Sequence, residues 1–206
     1  MIDEIIINFD KALKNITLQP KSQRIHPDYN IIENNLTNQE KKQVIKLMRI
    51  NHCGEVCAQA LYQGQAIFAK DKEKRKALES AAIEEIDHLA WTKKRLEELN
   101  GKPSILNPFF YIFSLTIGII AGIKGDQFSL GFLAETEKQV AKHLQTHLEK
   151  LPKNDNKSSL ILKQMLIDEI SHKNLAIEQG GIELSSITKK IMTYSSKIMT
   201  SLTSLL

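Results

Sequence analysis

Cysteine, proline and glycine are all scarce in this chain of 206 residues, which has two, five and nine of them. Two cysteines cannot build the disulfide framework of a small secreted protein, and Cys53 and Cys57, four apart, match no zinc or redox spacing. Reduced thiols are therefore expected. So few helix breakers, with apolar residues recurring at helical spacing, point to an all-α chain. Charge of one sign is also weak: a net +4 gives no footprint for nucleic acid. No G-x-G-x-x-G occurs, so a nicotinamide reductant would have to act without a Rossmann fingerprint. At the N-terminus Asp3 and Glu4 precede the first apolar run, where a secretory signal would be basic and a transit peptide Arg-rich. The expectation is a bacterial, cytoplasm-facing protein, or one already trimmed.

What is present is a series of amphipathic stripes. Residues 2–16 carry a short one, and a polar linker with Pro20 and Pro27 follows to residue 35. A capping box, Thr37-Asn38-Gln39-Glu40, opens a long helix to about Ala69. A second helix runs from about Lys72 to Leu99 and stops at Asn100-Gly101-Lys102-Pro103. The lysines and arginine between Lys70 and Lys76 read as a solvated turn. Two further helices are predicted over residues 129–150 and 157–182, with Gly180-Gly181 fraying the last. The chain reads as one domain of 1–206: an N-terminal segment to residue 36, a bundle over 37–182, and an amphipathic tail over 184–206.

Acidic and imidazole side chains interrupt these apolar stripes. Glu85 and His88 sit in the row Leu78, Ala81, Glu85, His88, Thr92, Leu96, and Glu169 and His172 in the row Leu162, Met165, Glu169, His172, Ala176, Gln179. Residues three apart on a helix project from one face, and such groups facing a core are costly without strong partners. With 16 glutamates and six histidines, about half a Glu-x-x-His match is expected by chance, so the motif alone is weak. The other two helices strengthen it. Glu55 falls in the row Val44, Met48, Asn51, Glu55, Ala58, Tyr62, and Glu137 in the row Leu133, Glu137, Val140, Leu144, while Glu135 falls with polar neighbours. Glu55 precedes Glu85 by 30 residues and Glu137 precedes Glu169 by 32, so each helical hairpin returns its ligands to one level after about 22 Å up and down. Two Glu-x-x-His helices plus one inward Glu from each of two others is the ligand set of a di-iron or di-manganese site in a ferritin-like four-helix bundle. Glu84 and Asp168 each precede a ligand Glu, where a carboxylate can fix an imidazole tautomer. Tyr62, two turns after Glu55, is expected to pack in the core or to hydrogen-bond near the site. His26, His52, His143 and His147 read as surface or outer residues.

Between the second and third bundle helices, Ile105 to Ile123 is uncharged for 19 residues. That length could span a bilayer, but a single span would place the two halves of the site on opposite sides. An interfacial helix or hydrophobic flap avoids this; a helix packed on its own bundle is the other reading. The tail carries Leu184, Ile187, Ile191, Ile198, Leu202 and Leu205 in one stripe beside Lys189, Lys190 and Lys197, fit for a lipid surface or a subunit contact.

Leu47-Met48-Arg49-Ile50-Asn51-His52-Cys53-Gly54-Glu55, continuing through Tyr62-Gln63-Gly64-Gln65, resembles the first ligand helix of the demethoxyubiquinone hydroxylases, the di-iron monooxygenases of ubiquinone biosynthesis. Glu85-Ile86-Asp87-His88, Glu135-Thr136-Glu137 and Asp168-Glu169-Ile170-Ser171-His172 fall where that family's ligands do, and the likeness covers about residues 36–182. Cys53 stands where a small residue is expected. The resemblance implies two iron ions, with Glu55 and His88 on one, Glu137 and His172 on the other, and Glu85 and Glu169 bridging. It implies O2 as co-substrate, an external reductant such as NADH, and a membrane-borne polyprenyl quinol as substrate. It further implies a peripheral position on the cytoplasmic face of the bacterial membrane, with an accessory biosynthetic protein or a second copy as partner. A quinol oxidase, a ferroxidase or a rubrerythrin-like peroxidase would share the fold, and a membrane adaptor would bind no metal.

Overall fold

The computed structural model of the chain describes residues 20–205, so the helix expected over residues 2–16 lies outside the described residues. Six helices follow: α1 (Asn38–Phe68), α2 (Lys72–Glu98), α3 (Asn107–Ile123), α4 (Asp126–Lys150), α5 (Asn156–Glu178) and α6 (Ser186–Leu205). The hairpins α1–α2 and α4–α5 form a four-helix bundle, and α3 is the crossover between them.

Local signals set the helix ends. Thr37 accepts from the Glu40 backbone N–H while the Glu40 carboxylate accepts from the Thr37 backbone N–H at 2.7 Å, the capping box read from the sequence. Asp71 caps α2 by accepting from Glu73 and Lys74. Asp126, at the start of α4, accepts from the backbone of Lys70 and Asp71 at 3.0 Å each, which ties the two hairpins at that end. Two boundaries differ from expectation. Helix α4 begins at Asp126 rather than Ser129, because Gly125 (φ 101) supplies the break. Helix α5 ends at Glu178 rather than Ile182. Gly180 adopts φ 93 and the Gly181 N–H returns to the Ala176 carbonyl, a glycine stop rather than a frayed end.

Helix α3 packs against α1 through its small residues. A Cβ at Gly118 would fall on the Leu61 carbonyl, and one at Gly64 would meet the α3 backbone at Leu115 and Ile119, so these glycines let the two helices approach backbone to backbone. The crossover thus packs on its own bundle by one face, with Phe110, Tyr111, Ser114 and Ala121 buried. Its other face leaves Phe109, Ile112, Phe113, Ile120 and Ile123 exposed. No helix among the described residues is long and apolar enough to cross a membrane. Helix α6 lies against α1 and α4 and also leaves an apolar row exposed: Ile187, Ile191, Tyr194, Ile198 and Leu202. Leu184, expected in that row, instead belongs to the bundle core, because it precedes α6 and turns inward with Ala176 and Leu130.

The polar stretch before α1, expected as a linker, is a strap across α2 and α5. Glu33 pairs with buried Arg95, which also holds Asp155 at 2.9 Å. Asn34 donates to the Asn154 carbonyl at 2.6 Å, and Asn154 donates back to that of Asn35. Two core clusters, one with Tyr62, Leu78, Leu130 and Leu133 and the other with Met48, Trp91, Leu144 and Leu162, lie at opposite ends of the bundle with the polar centre between them.

Replacing Gly118 with Ala is expected to destabilise the fold by about 1–3 kcal/mol through forced separation of α3 from α1. Gly54→Ala, at a position with nothing within 4 Å of an added Cβ, should be neutral or stabilising by less than about 1 kcal/mol. Urea unfolding of the two variants checks both.

Candidate metal centre

Each bundle helix brings a carboxylate to the core for the reason seen in its stripe: the residues one or two turns away along that face are buried and mostly apolar. Glu55 lies between Met48 and Tyr62 on α1, Glu85 and His88 between Leu78 and Leu96 on α2, Glu137 between Leu133 and Leu144 on α4, and Glu169 and His172 between Met165 and Ala176 on α5. None of these six is more than 6% exposed. All six sequence-derived candidates converge.

They form two overlapping groups, Glu55, Glu85, His88 and Glu169, and Glu85, Glu137, Glu169 and His172, within each of which the ligand atoms lie within 4.8 Å of one another. Glu85 and Glu169 belong to both. The Nδ1 atom of His88 faces Glu85, Glu169 and Glu55 at 3.0, 3.3 and 3.6 Å, and Nδ1 of His172 faces Glu85, Glu137 and Glu169 at 3.8, 3.7 and 3.7 Å. Metal bonds of about 2.1 Å place neighbouring ligand atoms about 3.0–3.5 Å apart; the His88 contacts lie at or near that spacing, and the His172 contacts are slightly wider.

The outward nitrogens are held by carboxylates in a crossed arrangement. Nε2 of His88 bonds Asp168 of α5 at 2.9 Å, and Nε2 of His172 bonds Glu84 of α2 at 3.0 Å. Each acidic residue that precedes a ligand Glu therefore serves the imidazole on the other Glu-x-x-His helix. An Nε2–H engaged in this way leaves the Nδ1 lone pair directed at the cluster. The buried Tyr62 hydroxyl donates to Glu137.

Four buried carboxylates against two imidazoles make an unbalanced set. Glu55 Oε2, Glu85 Oε1, Glu137 Oε2, both Glu169 oxygens and His172 Nδ1 are buried with no hydrogen-bond partner among the described residues. Burial, then the neighbouring Glu169 carboxylate, pushes Glu85 and Glu137 well above the usual carboxylate range. His88 is raised despite its burial, because Glu85 and Asp168 hold its charge. Asp168 falls to about 2: burial opposes this, but the His88 hydrogen bond and the adjacent Arg24 guanidinium override it. Unpartnered carboxylate oxygens around two inward nitrogens are what divalent cations satisfy, and the residues present fit a dinuclear centre.

Some partners were not visible in the sequence. Arg24, on the strap, donates from Nε to Asp87 at 2.8 Å and forms an ion pair through Nη2 with Asp168 at 2.9 Å, with its guanidinium 4.6 Å above the Trp91 ring. It sits in an irregular stretch, where no periodicity marks a residue as inward. Histidines 52 and 147, read as surface or outer residues, are buried. His52 bonds Thr92 at 3.0 Å and His147 bonds Asn51 at 2.7 Å, and burial lowers both to about 4, so they are neutral core residues. His26 is partly covered beside Trp91.

The bundle and its buried cluster define the class: a ferritin-like protein with a dinuclear carboxylate centre. Residues 42–203 match the model of the ubiquinone biosynthesis protein COQ7 family. The chain is 50% identical over 200 residues to a 3-demethoxyubiquinol 3-hydroxylase of Chromobacterium violaceum, with 97% of each chain covered. It is 49% identical over 199 residues to that of Nitrosomonas europaea, covering 97% of this chain and 96% of the other. For the Legionella pneumophila protein of the same name the figure is 50% over 201 residues, covering 97% and 94%. The chain belongs to the COQ7 family of ubiquinone biosynthesis proteins.

Metal ligands must be deprotonated, and raised values for Glu85, Glu137 and His88 mean that protons leave as metal enters. Anaerobic binding of Fe(II) or Co(II) should therefore weaken as the pH is lowered from neutral. Calorimetry in buffers of differing ionisation enthalpy should register the released protons.

Proposed function

We propose that this chain is a di-iron monooxygenase that hydroxylates the ring of demethoxyubiquinol, a polyprenyl benzoquinol, in ubiquinone biosynthesis. The observation that carries the proposal is the buried set of four carboxylates and two inward Nδ1 atoms in a chain half identical to 3-demethoxyubiquinol 3-hydroxylases. In this reading Glu55 and His88 would hold one iron and Glu137 and His172 the other, with Glu85 and Glu169, which belong to both groups, serving both. A ligand set rich in carboxylate and poor in imidazole suits iron. Bound iron supplies the activation of O2, which no side chain can perform. One oxygen atom enters the ring, and the other leaves as water with two electrons from an external reductant such as NADH and two protons, one of them from solvent.

The chain's own residues do the rest. Asp168 and Glu84 fix the two imidazoles with Nδ1 inward, and the Tyr62 hydroxyl orients the Glu137 carboxylate. Two core clusters exclude water from the centre, which confines the oxidation. A small, mostly apolar groove is lined by Leu78, Ala81, Leu130, Leu133 and Leu175 together with His172 and Glu84, a surface suited to an uncharged ring. The exposed apolar rows of α3 and α6, both packed on α1, support peripheral docking on a lipid surface, where a polyprenyl substrate resides. We place that docking on the cytoplasmic face of the bacterial membrane. The same rows suit an accessory biosynthetic protein or a second copy, and the chain acts as one di-iron domain.

The test is the quinone profile, by mass spectrometry, of a bacterial strain that lacks its own hydroxylase and expresses this chain. Accumulated demethoxyubiquinone should be converted to ubiquinone. Continued accumulation with iron-loaded protein would move the function to a quinol oxidase or ferroxidase. Glu137→Ala should lower iron content and turnover together, by more than the roughly 10–100-fold that outer partners cost. Full iron with full activity would remove Glu137 from the ligand set.

A further inference from the structure

The two halves of the centre differ in what lies behind them. Behind His172 stands Glu84, whose side chain is 39% exposed and lines the groove. Behind His88 the strap closes the site. Asp87 anchors the strap by accepting from the Ser22 hydroxyl at 3.0 Å, the Gln23 backbone N–H at 2.6 Å and Arg24 Nε at 2.8 Å. Arg24 then reaches the same Asp168 oxygen, Oδ2, that His88 Nε2 uses, while Gln164 donates to Oδ1 at 3.0 Å. Asp87 precedes His88 and Asp168 precedes Glu169, so one guanidinium grips the residue next to a ligand on both Glu-x-x-His helices. A planar fork is suited to holding two carboxylates at once, which a point-charge ammonium does less well. Trp91 completes the unit: its Nε1 donates to Ser22 at 3.0 Å, and its ring lies 5.4 Å from that of His88.

We propose that Arg24 is a positioning residue for the metal centre, and that the strap and metal occupancy are coupled through Arg24, Asp168 and His88. With Arg24 docked, Asp168 is fixed and the His88 ring is held with Nδ1 toward the cluster. With the strap released, Asp168 loses a charged partner and is free to turn toward solvent, so the imidazole loses its brace. Coupling of this kind is reciprocal: a strap that favours metal binding is itself held down by bound metal. The inference rests on the proposed ligand set.

The experiment uses the full chain, stripped of metal and titrated anaerobically with Co(II), with absorption and the fluorescence of the sole tryptophan, Trp91, as readouts. Arg24→Gln should weaken cobalt binding by about 10–100-fold, and Arg24→Lys should recover part of that. Asn34→Ala, which loosens a surface tie of the strap far from Asp168, should bind as the parent does. In the parent, cobalt should slow amide hydrogen exchange over residues 22–24, and in Arg24→Gln it should not. Parent-like cobalt affinity in Arg24→Gln would overturn the coupling, as would an equal loss in Asn34→Ala. A parent that takes up no cobalt would overturn the ligand set and the coupling together.

Discussion

Four carboxylates held within a few ångströms of one another in an apolar interior repel strongly and are stripped of water, and the rest of this structure is arranged around that burden. Isolated, each would rather be protonated, which is the direction in which Glu85 and Glu137 are pushed. Two imidazoles balance only part of the charge. A pair of divalent cations removes both the repulsion and the unpartnered oxygens, so the cluster carries its worst strain without metal. The apolar clusters above and below it raise the cost of leaving the centre empty, and they also keep water from a reactive centre once it is filled.

The outer elements each bear on the centre in a different way. Helix α3 contributes no ligand; it lies against α1 through glycines and turns aromatic and aliphatic residues outward, as α6 does on its neighbouring side. Those faces give the protein an apolar exterior next to the helix that carries Glu55. The strap works on the opposite flank, across α2 and α5, where polar ties rather than apolar contacts hold it. Its charge pairs lie behind the His88 half, while the His172 half opens toward a groove. A centre built from two similar hairpins thus becomes asymmetric through the segments around it.

The convergence of the six candidate ligands was legible in the sequence because a helix repeats every 3.6 residues, and a carboxylate within an apolar row has only one direction to face. The matched intervals from Glu55 to Glu85 and from Glu137 to Glu169 carried the inference further, since hairpins of equal reach bring their ligands to one level. The caps at Thr37 and Asn100-Gly101 were equally readable, being local chemistry. The end of α5 was misjudged because a glycine pair marks a stop without saying which glycine takes positive φ. His52 and His147 were misplaced because each lies just beside an apolar row, and only a neighbouring helix shows whether that angle is covered.

By itself the sequence determined the four-helix architecture, the candidate ligands that meet in the core, the crossover's apolar character and the resemblance to a quinol hydroxylase family, all of which rest on local periodicity and motif. The tertiary structure alone decided which carboxylate serves which imidazole, with Asp168 crossing to His88 and Glu84 to His172. It also decided that the crossover packs on α1 instead of standing away from it, and that Arg24 closes one side of the centre. These depend on contacts between segments about 50 to 150 residues apart in the chain, such as Arg24 with Asp168, and helical periodicity carries no information about which distant surface a residue will meet.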